Sequence, residues 1–215
     1  PTTYKGITPM WCNAVSKRIR SITSLKQKDL KTDGITFGDS HTIAYSGAGD
    51  RVYRTDGKTL FGTIRKGLRS EISESIGKLT LCMGSIDIRH HVLRHGDFSL
   101  RYTIKEYVRQ GNELSDDVWF TAPVPVEFEG RRIPKSGFYK KTPFFGSWKE
   151  RWDLTNEFID VLNDESKGKV IMPPKEWYTM DPEKYANTYM EHGSSFHIAP
   201  PYYRRNDWGV SPLAT

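Results

Sequence analysis

The sequence predicts an α/β fold: an open parallel sheet covered by helices. Short runs rich in β-branched and aromatic residues recur along the chain, separated by segments with helical spacing of apolar residues. The two clearest runs, Gly34–Phe37 and Lys78–Met83, each lead straight into a glycine-bearing loop with reactive side chains, Gly38-Asp39-Ser40-His41 and Gly84–His91. Strand, loop and helix in repetition imply parallel neighbours, because a parallel pair needs a crossover long enough to hold a helix. In such sheets ligands bind beyond the C-terminal strand ends, where both loops fall. With 215 residues the chain can bury one substantial core and is expected to form a single domain, 1–215.

The elements follow in order. Residues 1–32 are polar and basic, with Trp11, Val15 and Ile19 spaced for a short helix over 11–22, and are expected to be an N-terminal covering segment. Gly34–Phe37 is the first strand. Residues 47–58 are expected to be a polar loop, or a hairpin turning at Asp56-Gly57. Leu60–Ile76 places Ile64, Leu68 and Ile72 on one helical stripe. Lys78–Met83 is the second strand, and Phe98–Arg109 a helix with Leu100, Ile104 and Val108 inward. Asp117–Val126 is a third strand, its prolines suiting the end and not the middle. Residues 127–146 form a basic, aromatic insertion carrying Arg131, Arg132, Lys135, Lys140 and Lys141 with Phe138, Tyr139, Phe144 and Phe145. Trp148–Asn163 is a helix and Lys169–Met172 a fourth strand. The remainder is turn-rich and ends in a C-terminal strap, 198–215, with aromatic and basic residues interleaved.

Composition excludes several classes. Hydrophobic residues are 36% and charged residues 27% of the chain, a globular balance. No stretch is long and apolar enough to span a membrane. The N-terminus lacks the order of a signal peptide, so the cytoplasm, or the host cytoplasm for a viral chain, is the expected compartment. Cys12 and Cys82 lack the spacing of a metal knuckle or a disulfide scaffold. The formal charge of +6 attracts anions without naming them. Nucleic acid is a possible partner but not the favoured one, and the oligomeric state is not readable.

A serine one residue past a strand-ending Gly-Asp can sit on a tight turn with its N–H free to stabilise an oxyanion. It needs a base, usually a histidine held by a carboxylate. Asp39 suits a structural role, fixing the turn through backbone N–H groups. His41 is an alternative base, although adjacency along a chain does not make two side chains converge. His41, His90, His91, His95 and Asp39 are metal-ligating types, but no metal or other cofactor is expected, and His90, His91 and His95 are read as lining a pocket mouth.

Gly-Asp-Ser after the first strand, Gly-x-x-Asp after the next and a late histidine in a loop resemble the layout of the SGNH (GDSL-type) hydrolases, from about residue 34 to about 200. The second block is closest to an offshoot reading Gly-Glu-Ile-Asp-Cys-Arg-x-His, matched here by Gly84, Ile86, Asp87, Arg89 and His91. The resemblance implies a three-layer α/β/α sandwich with a central parallel sheet. It implies Ser40 as nucleophile and His197, in Ser194-Ser195-Phe196-His197, as base. Ser194 stands where the family places its aspartate, so Asp87, Glu191 or Asp181 would supply the carboxylate. The oxyanion or substrate-binding group is expected from Gly62, with Gly47 as runner-up, and from Arg89, His91 and Asp39. Arg89 is alternatively a salt-bridge partner of Asp87 or Asp39.

The expected activity is hydrolysis of a small acyl or acetyl ester, on a carbohydrate or other polar acceptor, through a Ser40–His197 dyad or atypical triad. The alternatives are an acyltransferase and a catalytically weak module that binds glycan or nucleic acid through the same basic, aromatic-rimmed pocket.

Overall fold

The computed structural model describes residues 34–72, 77–95, 99–125, 145–192 and 195–206. Among these, strands β1 (Ile35–Gly38), β2 (Arg51–Arg54), β3 (Lys78–Cys82), β4 (Asp117–Thr121) and β5 (Val170–Ile171) form one sheet in the order β2-β1-β3-β4-β5. Every pairing is parallel, with Ile35 beside both Arg51 and Leu79, and Leu79 beside Val118. The helices are α1 (Thr42–Tyr45), α2 (Leu60–Lys66), α3 (Leu68–Glu71), α4 (Ser85–His90), α5 (Leu100–Asn112), α6 (Trp148–Glu165) and α7 (Pro182–Tyr189), with short 3-10 turns near the end.

The alternation of side chains along each strand builds two cores. Ile35, Phe37, Leu79, Leu81, Val118 and Phe120 join residues of α2 to α6 in the larger cluster. Cys82, next to Leu81 and therefore on the opposite sheet face, joins Ala44 and Tyr45 of α1 with Val124, Trp177, Met190 and Ile198. The result is the α/β/α sandwich with a parallel sheet that the sequence predicts. Its longest helix, α6, begins at a reciprocal capping box between Ser147 and Glu150. No helix among the described residues is long and apolar enough to cross a membrane.

Several boundaries differ from expectation. The segment 47–58 is not a hairpin, because Arg51–Arg54 pairs parallel with β1 after the α1 crossover. The stripe over 60–76 is broken at Gly67, whose φ of 90° ends α2 before α3 starts. The third strand stops at Thr121, just before Pro123, and the turn-rich remainder contains α7. The helix expected over 11–22 lies outside the described residues, as do the insertion up to residue 144 and the strap beyond 206.

The strand order turns at β1. The chain steps outward to β2, then crosses back to place β3 on the other side of β1. Loops leaving β1 and β3 therefore diverge and open a crevice at their C-terminal ends. Two glycines let the chain make these exits. A Cβ on Gly38 would lie 1.8 Å from the Cys82 carbonyl oxygen, and Gly84, at φ 111°, would drive a Cβ to 2.6 Å from the Phe158 ring.

Candidate active site

The turn after β1 is fixed from three directions. The Asp39 N–H donates to the Cys82 carbonyl at 2.9 Å, which ties the turn to β3. The wholly buried Asp39 carboxylate accepts the His41 N–H at 2.9 Å, and its carbonyl accepts the Thr42 hydroxyl at 2.6 Å. Between these anchors stands Ser40, nearly buried, and neither its N–H nor its hydroxyl has a hydrogen-bond partner among the described residues. The serine is held by its neighbours and is itself uncommitted.

The second half comes from the end of the chain. An isolated antiparallel bridge between Met190 and Ile198 sets Glu191 beside His197, and the Glu191 N–H donates to the His197 carbonyl at 3.0 Å. The Ser195 hydroxyl donates to Glu191 Oε2 at 3.2 Å and accepts the His197 N–H at 3.0 Å. His197 Nδ1 lies 3.8 Å from Glu191 Oε2, while its Nε2 is buried with no hydrogen-bond partner among the described residues. A carboxylate near Nδ1 favours the tautomer with hydrogen on Nδ1, which leaves the lone pair on Nε2. Burial, reinforced by His41, Arg54 and Arg89, lowers the His197 pKa to about 3, so the ring is neutral at ordinary pH. Ser194 lies outside the described residues.

Ser40, His197 and Glu191 line one pocket with His41, Ile43, Ala44, Arg54, Ile198 and Tyr203. Its volume is about 230 Å³, including space open to solvent.

The other expected residues are placed as follows. Asp87 is buried, and its two carboxylate oxygens accept the N–H groups of Leu60 at 2.7 Å and Phe61 at 3.2 Å. It therefore caps α2 from α4. Asp181 likewise caps α7, accepting the Lys184 N–H at 2.9 Å. Of the three carboxylates considered for His197, Glu191 is the one beside its ring. The Gly62 N–H is taken by Thr59 Oγ1 at 3.1 Å and the Gly47 N–H by Asp50 Oδ2 at 2.8 Å. His91, half-buried, stacks on His95 at 6.1 Å, and burial lowers its pKa. No group of three or more His, Cys, Asp or Glu among the described residues is arranged to hold a metal ion.

His41 is engaged on both sides of its ring. Nε2 lies 2.7 Å from the Phe196 carbonyl oxygen and Nδ1 3.2 Å from Asp39 Oδ1. A carbonyl only accepts, so Nε2 carries a hydrogen. The Arg89 guanidinium nitrogen 3.2 Å from that same Nε2 then faces a second donor and makes no hydrogen bond to it. The buried Arg89 also lies over the Phe196 ring at 5.2 Å. Asp39, His41 and Phe196 thus link the serine turn to the residue before His197.

Asp87 gives the first prediction. Burial, opposed by the two N–H donors, raises its pKa from 3.8 to about 6. A raised folded-state pKa gives a contribution fully present below about pH 4 and lost as the pH rises through about 6. Asp87→Ala strands two helix-terminal N–H groups and is expected to destabilise the fold by about 1–3 kcal/mol, measured as a lower Tm. An unchanged Tm would deny the capping role.

Five pocket residues lie outside the expected set, and two of them, Arg54 and Tyr203, carry polar groups. Arg54 ends β2, the strand read from sequence as loop, and Tyr203 belongs to the strap, whose residues were not assigned to the site.

Comparison with protein-family profiles finds no match, and neither does comparison with curated proteins. Similar solved structures include a protein named as a platelet activating factor from Streptococcus pneumonia, at 11% identity over 87% of this chain and 85% of that one, TM-score 0.49. A Bacteroides fragilis protein named as an acylhydrolase aligns at 14% identity over 89% of this chain and 85% of that one, TM-score 0.43. A Parabacteroides merdae protein named as a GDSL-like lipase aligns at 13% identity over 85% and 97%, TM-score 0.47. Likeness at this level assigns no residue a role.

Proposed function

We propose that this protein is a serine-dependent hydrolase of short-chain acyl esters, with Ser40 as nucleophile, His197 as base and Glu191 orienting the histidine. The observation that carries the reading is the unpartnered, buried Nε2 of His197 in the pocket that also holds the uncommitted Ser40.

Ser40 Oγ attacks the ester carbonyl carbon while its proton passes to His197 Nε2. The carbonyl oxygen becomes an oxyanion, and the free Ser40 N–H is the nearest candidate donor to it. Collapse breaks the bond to the alcohol, which leaves with the proton from Nε2. A water then gives its proton to Nε2, attacks the acyl-serine and releases the acid, and Nε2 returns the proton to Ser40. Glu191 stabilises the imidazolium in both halves. His41 acts as a strut: by holding the Phe196 carbonyl it fixes the loop that carries His197. Ile43, Ala44 and Ile198 are the aliphatic residues of the pocket lining, and on this reading they would meet a methyl or other short acyl chain. An acyltransferase would use the same first half with a second alcohol in place of water.

Labelling by a fluorophosphonate probe tests the reading. The wild type is expected to react stoichiometrically at Ser40, identified by mass spectrometry. A folded wild-type protein that takes no label would overturn the serine mechanism and favour the glycan- or nucleic-acid-binding alternative.

A further inference from the structure

Arg54 is the cation of the pocket wall that the proposed chemistry does not use. It ends β2 at the sheet edge, and its side chain is 31% exposed, enough to meet a ligand. Its Nε donates to Asp56 Oδ1 at 2.6 Å, and no other partner holds the guanidinium among the described residues. Asp56 is itself 70% exposed, so the pair holds the plane of the guanidinium at its Nε edge and leaves the terminal nitrogens available. The same pocket is lined by Tyr203, whose ring carries the Arg205 guanidinium at 5.2 Å. The Tyr203 hydroxyl likewise has no hydrogen-bond partner among the described residues.

Two acids stand near this cation. Glu191 lines the pocket, accepts the Ser195 hydroxyl and faces His197, and Asp56 pairs with the Arg54 Nε, with its field also reaching His197. The low pKa of His197 has Arg54 among its causes, which places the arginine's field at the reacting atoms. Ile43, Ala44 and Ile198 line the same pocket. Arg54 adds a cation to it, which suits a negative group on the ligand.

We propose that Arg54, with the Tyr203 hydroxyl, selects esters whose alcohol half carries an anionic group, so that the substrate class is a short-chain acyl ester of a carboxylate-, sulfate- or phosphate-bearing alcohol. This rests on the serine-hydrolase reading. A planar guanidinium with two free terminal nitrogens matches two oxygens of any of these groups.

The test uses a matched pair of probes, 4-acetoxybenzoate and the neutral 4-acetoxybenzamide, with each kcat/KM divided by the probe's rate of hydroxide hydrolysis. The wild type is expected to prefer the anionic ester about tenfold, as one charge-assisted contact gives. Arg54→Gln is expected to bring the ratio near one, and Arg54→Lys to restore part of it. Arg101→Gln, an exposed charge on α5, is expected to leave the ratio at its wild-type value. A wild-type ratio of one, or a preference that survives Arg54→Gln, overturns the proposal. Calorimetric binding of the non-hydrolysable 4-acetamidobenzoate and 4-acetamidobenzamide separates this proposal from the reading beneath it. If neither ester is cleaved but the anionic analogue binds better and loses that advantage in Arg54→Gln, anion selection stands and the serine mechanism falls. If both esters are cleaved alike and both analogues bind alike, the serine mechanism stands and anion selection falls.

Discussion

Ser40→Ala is expected to lower kcat for short-chain ester hydrolysis by at least about 10³-fold, and by as much as about 10⁶-fold if the three groups act as one unit. The fold should barely notice. The Ser40 hydroxyl makes no hydrogen bond among the described residues, so its removal leaves no donor or acceptor stranded, and the turn is anchored through Asp39 and Thr42. The expected signature is thus a lost rate with an unchanged Tm. Ser40→Ala combined with His197→Ala should be no slower than either alone, because a base without a nucleophile has nothing to deprotonate. An Ala variant that keeps more than a tenth of the wild-type kcat, in protein free of contaminating esterase, would place the chemistry elsewhere.

The parts of this site that the sequence revealed are those governed by local rules. Ile35–Gly38 and Lys78–Cys82 are central strands, buried on both sides, and their β-branched and aliphatic runs are legible without any partner. The α6 helix announces itself through Ser147 and Glu150 at its start. β2 was hidden because Arg-Val-Tyr-Arg is a four-residue edge strand with charged ends, half-exposed and embedded between glycines. With β2 hidden, Arg54 could not be seen to end at the same sheet edge as Ser40. The Gly62 N–H has a readable partner in the sequence. Thr59 before Leu60 is an ordinary N-cap, and an N-cap uses the N–H three residues on. The role of Asp87 was beyond local rules, since its partners Leu60 and Phe61 stand in another helix. Glu191 is one of three carboxylates the sequence offers, with Asp87 the preferred one. Only the Met190–Ile198 bridge, a long-range pairing of two single residues, separates it from Asp87 and Asp181.

The second large effect concerns His197. His197→Ala is expected to lower kcat/KM by about 10³-fold or more, since in the proposed mechanism Nε2 takes the serine's proton. Its pH dependence is the sharper test. A base works only when neutral, and an ordinary histidine would impose an acid limb near its usual 6.5. Burial lowers the His197 pKa to about 3, so kcat/KM should stay level from about pH 5 to 8 and fall only as the pH approaches 3. The same shift has a consequence for stability. Between about 6.5 and 3 the unfolded chain binds a proton at this residue and the folded chain does not, so folding weakens as the pH falls through that window. His197→Ala should remove that part of the pH dependence of Tm along with the activity. Glu191→Gln separates orientation from proton transfer. Its amide can present N–H to Nδ1, which would move the ring hydrogen to Nε2 and leave Ser40 facing a donor, with a loss of about 10²-fold or more in kcat and little change in KM. An acid limb near 6.5 in the wild type would mean that His197 is exposed to water during catalysis. A Glu191→Gln variant with wild-type kcat would mean that the histidine is oriented by something other than the carboxylate 3.8 Å from its Nδ1.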